Sequence, residues 1–317
     1  MKNKIEILKL ENFPLINEGD DIAEIILNSL KENNISLQNG DIILIAQSII
    51  SKSLGLIRNL SEIEVTENAK ELHKKVTSKA KPMGLPERSP ELIQMILNES
   101  KEIVKSEHVL ITETYHGFIC ANAGIDKSNV EGKNMVSLLP SEPDIEAKKI
   151  QEKIEGELKR NIALIITDSF GRPFRNGAVG VAIGISGISA ILDKRGCSDL
   201  FGNKLQSTIV AQIDNLASAA QLVMGEANEG IPVAIIRGYE YERRENSDIK
   251  DIIRTKDSDL FRNSNLKYFE EILKKRTSYK KQFSNKEINK EIIFDCLKLA
   301  ILAPNAHNSQ PWKFVIL

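Results

Sequence analysis

Three short apolar runs constrain this chain more than any other feature: DIILIA at 41–46, NIALIIT at 161–167 and PVAIIR at 232–237. Each is shorter than a stable helix needs, and each stays apolar where a surface strand would alternate. Runs of this kind predict strands buried on both faces. Residues 5–10 predict another strand. Helical patterns fall between them, at 21–31, 65–80, 90–100, 145–160 and 206–224. The last puts Ile209, Ile213, Leu216, Ala217, Ala220 and Met224 on one face and stops at Gly225. Residues 108–122 predict two strands joined at His116-Gly117. Residues 48–56, carrying Lys52, predict a loop or short helix. Three prolines break the chain between 81 and 90.

Charge excludes several function classes. Lys plus Arg number 43 against 44 Asp plus Glu, a net charge of −1. That balance gives no global pull toward nucleic acid or an anionic membrane, and neither is expected as a partner. The longest uncharged run, 176–192, is dotted with glycine and falls short of the ~20 apolar residues of a membrane helix. The opening MKNKIEILKLENF lacks the apolar core of a signal peptide. Cys120, Cys197 and Cys296 are far apart, with no C-x-x-C. A reducing, cytoplasmic setting is therefore expected, without a disulfide framework or a zinc site.

The chemistry concentrates in ITDSFGRPFRNG at 166–177. Asp168 and Ser169 offer the oxygen ligands that a hard divalent cation takes. Arg172 and Arg175 could grip phosphate or carboxylate oxygens. The glycines after them let backbone approach a ligand or another strand. An N-cap with salt bridges on a turn explains the same residue types equally well. Asp126, with Asn129 three residues on, would supply a second carboxylate from another strand end, enough with Asp168 to hold one or two ions; alone it reads more simply as an Asx-turn capped by Asn129. The MGEANEGIP loop at 224–232 could cradle phosphates on its N–H groups, with Glu226 as a further oxygen ligand, although most such loops are connections. Lys52 is a candidate phosphate cation or a solvated surface lysine. No P-loop, dinucleotide fingerprint or nucleophile elbow is present.

In this order the segments resemble one family, the coenzyme F420 gamma-glutamyl ligases. The resemblance rests on FPLI at 13–16, QSIISK at 47–52, CANAGIDKSN at 120–129, ITDSFGRPFRNG at 166–177 and MGEANEGIP at 224–232. It implies an α/β fold with mixed sheets and a cytoplasmic homodimer. It implies GTP-dependent addition of L-glutamate to the lactyl carboxylate of coenzyme F420-0, a deazaflavin phosphodiester, through an acyl phosphate, then extension of a gamma-glutamyl tail, giving GDP and phosphate. By that likeness Asp126, Asp168, Ser169 and Glu226 bind Mg²⁺ or Mn²⁺, with K⁺ a further candidate ion. GTP is surrounded by Phe13, Pro14, Leu15, Ile16, Gln47, Ser48, Lys52, Asn129 and the loop Met224, Gly225, Glu226, Ala227, Asn228, Glu229, Gly230 and Ile231. Asp126, Asp168, Lys52, Arg172 and Arg175 are the expected catalytic set.

The chain departs from that pattern at five positions. Ser169 replaces a threonine, Glu226 a glutamine and Ser48 a lysine, and Leu54 and Leu56 replace an acid and a base. The last three changes bear on nucleotide affinity and keep open a nucleotide-binding protein without ligase activity. After Tyr241 the composition turns charged, and 286–302 resumes a helical pattern. KKRTSYKKQF at 274–283 and APNAHNSQPWKF at 303–314 resemble the start of a nitroreductase-like domain, in which Arg276 and Ser278 would approach an FMN phosphate. The expected division is 1–262, a ligase domain, and 263–317, a linker and an incomplete α+β nitroreductase-like segment. Such a segment is too short to complete a flavin pocket, so FMN and a flavin-dependent oxidoreductase activity are the lesser reading.

Overall fold

A computed structural model describes residues 4–259, 261–262, 272–273, 287–301 and 313–315. The chain divides into two compact units, Met1–Arg262 and Asn263–Leu317. In the second, the longest described element is helix α7 (Lys290–Ala300), whose cap Asn289 accepts from the Glu291 N–H. Arg276 and Ser278 lie outside the described residues, as does most of 303–314. Residues 313–315 carry no strand.

The first unit is α/β with a mixed five-stranded sheet in the order β1-β12-β2-β8-β9. Its strands are β1 (Glu6–Lys9), β2 (Ile42–Ala46), β8 (Ala163–Arg172), β9 (Arg175–Ser186) and β12 (Val233–Arg237). The apolar runs fill its centre: Ile42 to Ile45, Ala163 to Ile166 and Val233 to Ile236 are all buried. Only β2 and β8 run parallel; the other neighbours are antiparallel. Helices α1 (Ile22–Glu32), α2 (Gln47–Ser53), α5 (Pro143–Leu158) and α6 (Gln212–Met224) contribute buried residues to the same core. A second, smaller core joins α3 (Glu67–Ala80) and α4 (Pro90–Asn98) to Leu110, Ala123, Val136 and Leu138. Around it lie β3 (Ile57–Asn59) paired with β7 (Met135–Ser137), and the sheet of β4 (Ser100–Ser106), β5 (Leu110–Thr114) and β6 (Ile119–Ala121). A two-stranded ribbon, β10 (Leu192–Asp193) with β11 (Ile209–Val210), projects ahead of α6.

Three expectations change. The helix expected from 206 begins at Gln212, and Ile209 lies exposed in β11. The buried Gln212 amide donates to the Ser189 and Ile191 carbonyls and ties this end of the helix to the preceding chain. The strand expected at 161–167 continues to Arg172 and turns straight into β9, so the uncharged run is the return arm of a hairpin. Its glycines serve helices. A methyl at Gly180 would lie 2.5 Å from the Ala217 carbonyl oxygen, and one at Gly184 2.8 Å from the Pro143 carbonyl. That closeness lets α5 and α6 seal the outer edge of β9. Its N–H groups at Gly180, Ala182 and Ile185 donate to Gln221, Asp214 and Asp144. An edge strand with its donors occupied cannot recruit a stray strand.

Candidate functional site

Topology brings the predicted segments together. Ala46 and Thr167 are the last paired residues of β2 and β8. Beyond them β2 turns into α2, while β8 runs on and presents Asp168 and Ser169. Strand β12 is antiparallel to β2 and begins beside Ile45, so the 224–231 loop that precedes it arrives at the same end of the sheet. The Ser169 hydroxyl donates to Glu226 at 2.5 Å. The Gln221 amide donates to the Ser169 hydroxyl at 3.3 Å and also to Glu226.

The second core supplies the opposite wall. Asn122, Ala123 and Gly124 take three successive positive φ angles of 54°, 58° and 70°. A left-handed turn is disfavoured for alanine by about 1–2 kcal/mol. The turn straddles the two cores: Ala123 is buried in the smaller one, and Gly124 packs so closely on Leu139 of the larger that a methyl would lie 2.6 Å from it. The Asn122 Oδ1 is buried there without a hydrogen-bond partner. Asp126 follows and exchanges backbone hydrogen bonds with Ser137. Its carboxylate accepts from the Ser128 N–H at 2.9 Å and from the Ser128 hydroxyl. The Asx-turn therefore exists, but Ser128 closes it. Asn129 instead donates across the seam to the Ala227 carbonyl at 3.0 Å.

These carboxylates repel one another. Burial first, then the negative charges of Asp126 and Glu226, push Asp168 up to about 7, against a single hydrogen bond from the Ser169 N–H. Among the described residues no Lys or Arg forms an ion pair with Asp126, Asp168 or Glu226. No three acidic, histidine or cysteine side chains among them gather into a ready ion cage. The donor set nevertheless fits a hard cation: carboxylate and hydroxyl oxygens converge where charging Asp168 needs a positive partner. Cys120, buried beside Asp168, has its thiol pushed up to about 12 by burial and by that carboxylate.

The remaining predicted residues divide. Lys52 is partly buried on α2, and burial holds its ammonium below the usual lysine range. Ser48 is also partly exposed there, whereas Gln47 is buried, its amide donating to Ser51 at 2.5 Å and to the Leu138 carbonyl at 3.0 Å. Phe13 packs partly against the larger core and Ile16 lies within it, while Pro14 and Leu15 are exposed. Met224 is buried in the same core; Gly225 and Ile231 are partly buried, and 226–230 are exposed. Glu229 accepts from the Ala227 N–H at 2.7 Å. Leu56, one of the departures, packs against the smaller core. Arg172 and Arg175 stand at the far end of the β8–β9 hairpin, away from Asp168. Gln221, Ser128 and Cys120 were not singled out by the sequence; a glutamine on a helix face and a lone cysteine carry little signal before the fold is known.

The family model for F420-0:gamma-glutamyl ligase matches residues 11–238. The chain belongs to this ligase family. Coenzyme F420:L-glutamate ligases of Methanothermobacter thermautotrophicus and Methanocaldococcus jannaschii are each 44% identical to it, over 81% and 83% of this chain and 99% and 98% of their own lengths. The ligase of Archaeoglobus fulgidus is 37% identical over 82% of this chain and 97% of its own. Residues 273–317 are similar to the nitroreductase family. No helix among the described residues is long and apolar enough to cross a membrane.

Proposed function

We propose that this chain is a coenzyme F420:L-glutamate ligase, using GTP to join L-glutamate to the lactyl carboxylate of F420-0. The observation that supports it is the meeting of Asp168–Ser169 with Glu226 on one side and Asp126–Asn129 on the other, all in segments that match the family. In this reading the lactyl carboxylate attacks the γ-phosphorus of GTP. The bond from that phosphorus to the β,γ-bridging oxygen breaks, leaving GDP and an acyl phosphate. The glutamate amine then attacks the acyl carbon, loses a proton and expels phosphate. Asp126, Asp168, Ser169 and Glu226 would hold Mg²⁺ or Mn²⁺, which supplies charge neutralisation for the transferred phosphoryl group. Lys52, desolvated and without an acidic partner among the described residues, would face phosphate oxygens. The 224–231 loop offers backbone N–H groups to the nucleotide, and Asn129 holds that loop at Ala227. Leu56, at the position where the family pattern has a base, packs against the smaller core.

The test is direct. Purified protein is incubated with F420-0, L-glutamate, GTP and Mg²⁺ or Mn²⁺, and products are weighed by mass spectrometry. Glutamate adducts with stoichiometric GDP support the reading. A folded protein that yields no adduct with either metal overturns it.

A further inference from the structure

The tip of the β8–β9 hairpin breaks three local rules at once. Arg172 and Arg175 are its last cross-strand pair, so Pro173 and Phe174 form a two-residue turn. Proline fixes its own φ near −65°. Phe174 follows with φ +62°, at the position where such a turn takes glycine or asparagine. A bulky side chain is disfavoured there. The ring gains no burial in return, for Phe174 is 91% exposed. Among the described residues its ring neighbour is Phe261, at 5.5 Å between centroids and 57° between planes, itself 54% exposed. Finally, the two arginines oppose each other directly, and like charges in that register repel. Among the described residues Arg172 donates only to the Gly177 carbonyl, at 3.4 Å, and neither arginine meets a carboxylate. Features that violate local preference together, without compensation among the described residues, mark a surface shaped for something else.

We infer that this tip receives the planar end of the substrate: Phe174 stacks on the deazaflavin ring, and Arg172 and Arg175 bind the phosphodiester that joins ring to lactate. The inference rests on the ligase reading above. An aromatic face suits a flat heterocycle, and paired guanidinium groups suit a phosphodiester. Asp168 and Arg172 are four residues apart on one strand, about 13 Å at ~3.3 Å per residue. A substrate whose carboxylate reacts near Asp168 carries its anionic linker and ring outward along such a track. GTP is the other flat, phosphate-bearing molecule in the reaction. Its proposed surroundings, α2 and the 224–231 loop, lie at the hairpin's base, which leaves the tip to the deazaflavin.

Phe174→Gly isolates the ring, because glycine fits φ +62° better than phenylalanine and the variant should melt no lower than the wild type. KM would be measured for F420-0, GTP and glutamate. Deazaflavin binding would also be titrated directly through the ring's fluorescence, without GTP, and sedimentation would follow the oligomeric state. We expect KM and Kd for F420-0 to rise about tenfold, with kcat within about twofold, the other two KM values unchanged, and Phe174→Tyr restoring both. An unchanged F420-0 affinity overturns the inference. So does a rise confined to GTP, which would place the guanine there, or loss of an oligomer, which would make the tip an interface. If the wild type forms no adduct, the ligase reading fails separately and the titration alone decides: weaker ring binding in Phe174→Gly supports the platform, and equal binding refutes it.

Discussion

The base and the tip of the β8–β9 hairpin share two strands and almost nothing else. At the base, Ala163 to Ile166 and Ile183 to Ile185 are sealed between helices, and side chains from α5 and α6 occupy the free donors of the edge. At the tip, an exposed ring and two facing arginines have few partners of their own. Asp168 and Ser169 sit at the border, where burial stops and charge begins. The packed base holds Asp168 and Ser169 in place, whereas the sparsely packed tip leaves its ring and arginines open to solvent.

The largest effect should come at the border. Asp168→Ala is expected to lower glutamate ligation by about 10³-fold, the scale seen when a preorganised electrostatic group is removed. The metal-free variant should melt no lower than wild type at pH 8, because a half-buried, repelled charge has gone. A product-mass time course and a melting curve on the same preparation check both. Next comes the base itself. Gly184→Ala would drive a methyl into the Pro143 backbone and should lower stability by about 3 kcal/mol in urea titration. At the tip, Gly177→Ala meets open space and only a positive φ of 86°, and should cost about 1–2 kcal/mol. Equal losses at the two glycines would erase the contrast.

The pH dependence sharpens it further. Asp168 is raised to about 7 in the folded chain from an ordinary value of 3.8. A raised carboxylate binds its proton more tightly when folded, so its stabilising contribution is full below pH ~4 and is lost as pH rises through about 7. Metal-free protein should therefore lose a few degrees of Tm from this group between pH 5 and pH 8, and Asp168→Asn should flatten that slope. Mn²⁺ should raise Tm more at pH 8 than at pH 5, since the ion competes with the proton. The smallest effect belongs to Ser169→Thr, which keeps the hydroxyl and should change ion affinity less than about threefold, against about tenfold for Ser169→Ala. Isothermal titration with Mn²⁺ separates the two.

Legibility in the sequence followed the strength of local signals. The central strands were readable because unbroken Ile and Leu runs have few other destinations. Strand β4 was missed because SKEIVKS, half charged, gives little alternation to read. The start of α6 was misplaced because Ile209 and Ile213 fit a helical spacing, whereas the Gln212 amide, bonded across the fold, decides the boundary. The left-handed turn at 122–124 could not be foreseen, since alanine argues against it. At the site, Asp126, Asp168 and Glu226 were nameable through the family likeness. That Ser128 rather than Asn129 closes the turn, and that Asn129 reaches Ala227 instead, depends on how two cores meet.

That meeting has a calorimetric consequence. Asp126 is carried by the smaller core and Asp168 by the larger, with their like charges facing across the seam. In metal-free protein, this repulsion weakens the coupling between the two halves and lets the smaller one open first, as a broad low-temperature shoulder ahead of the main transition. A cation held by both carboxylates would reverse the sign of that coupling, so that shoulder and peak merge into one cooperative melt.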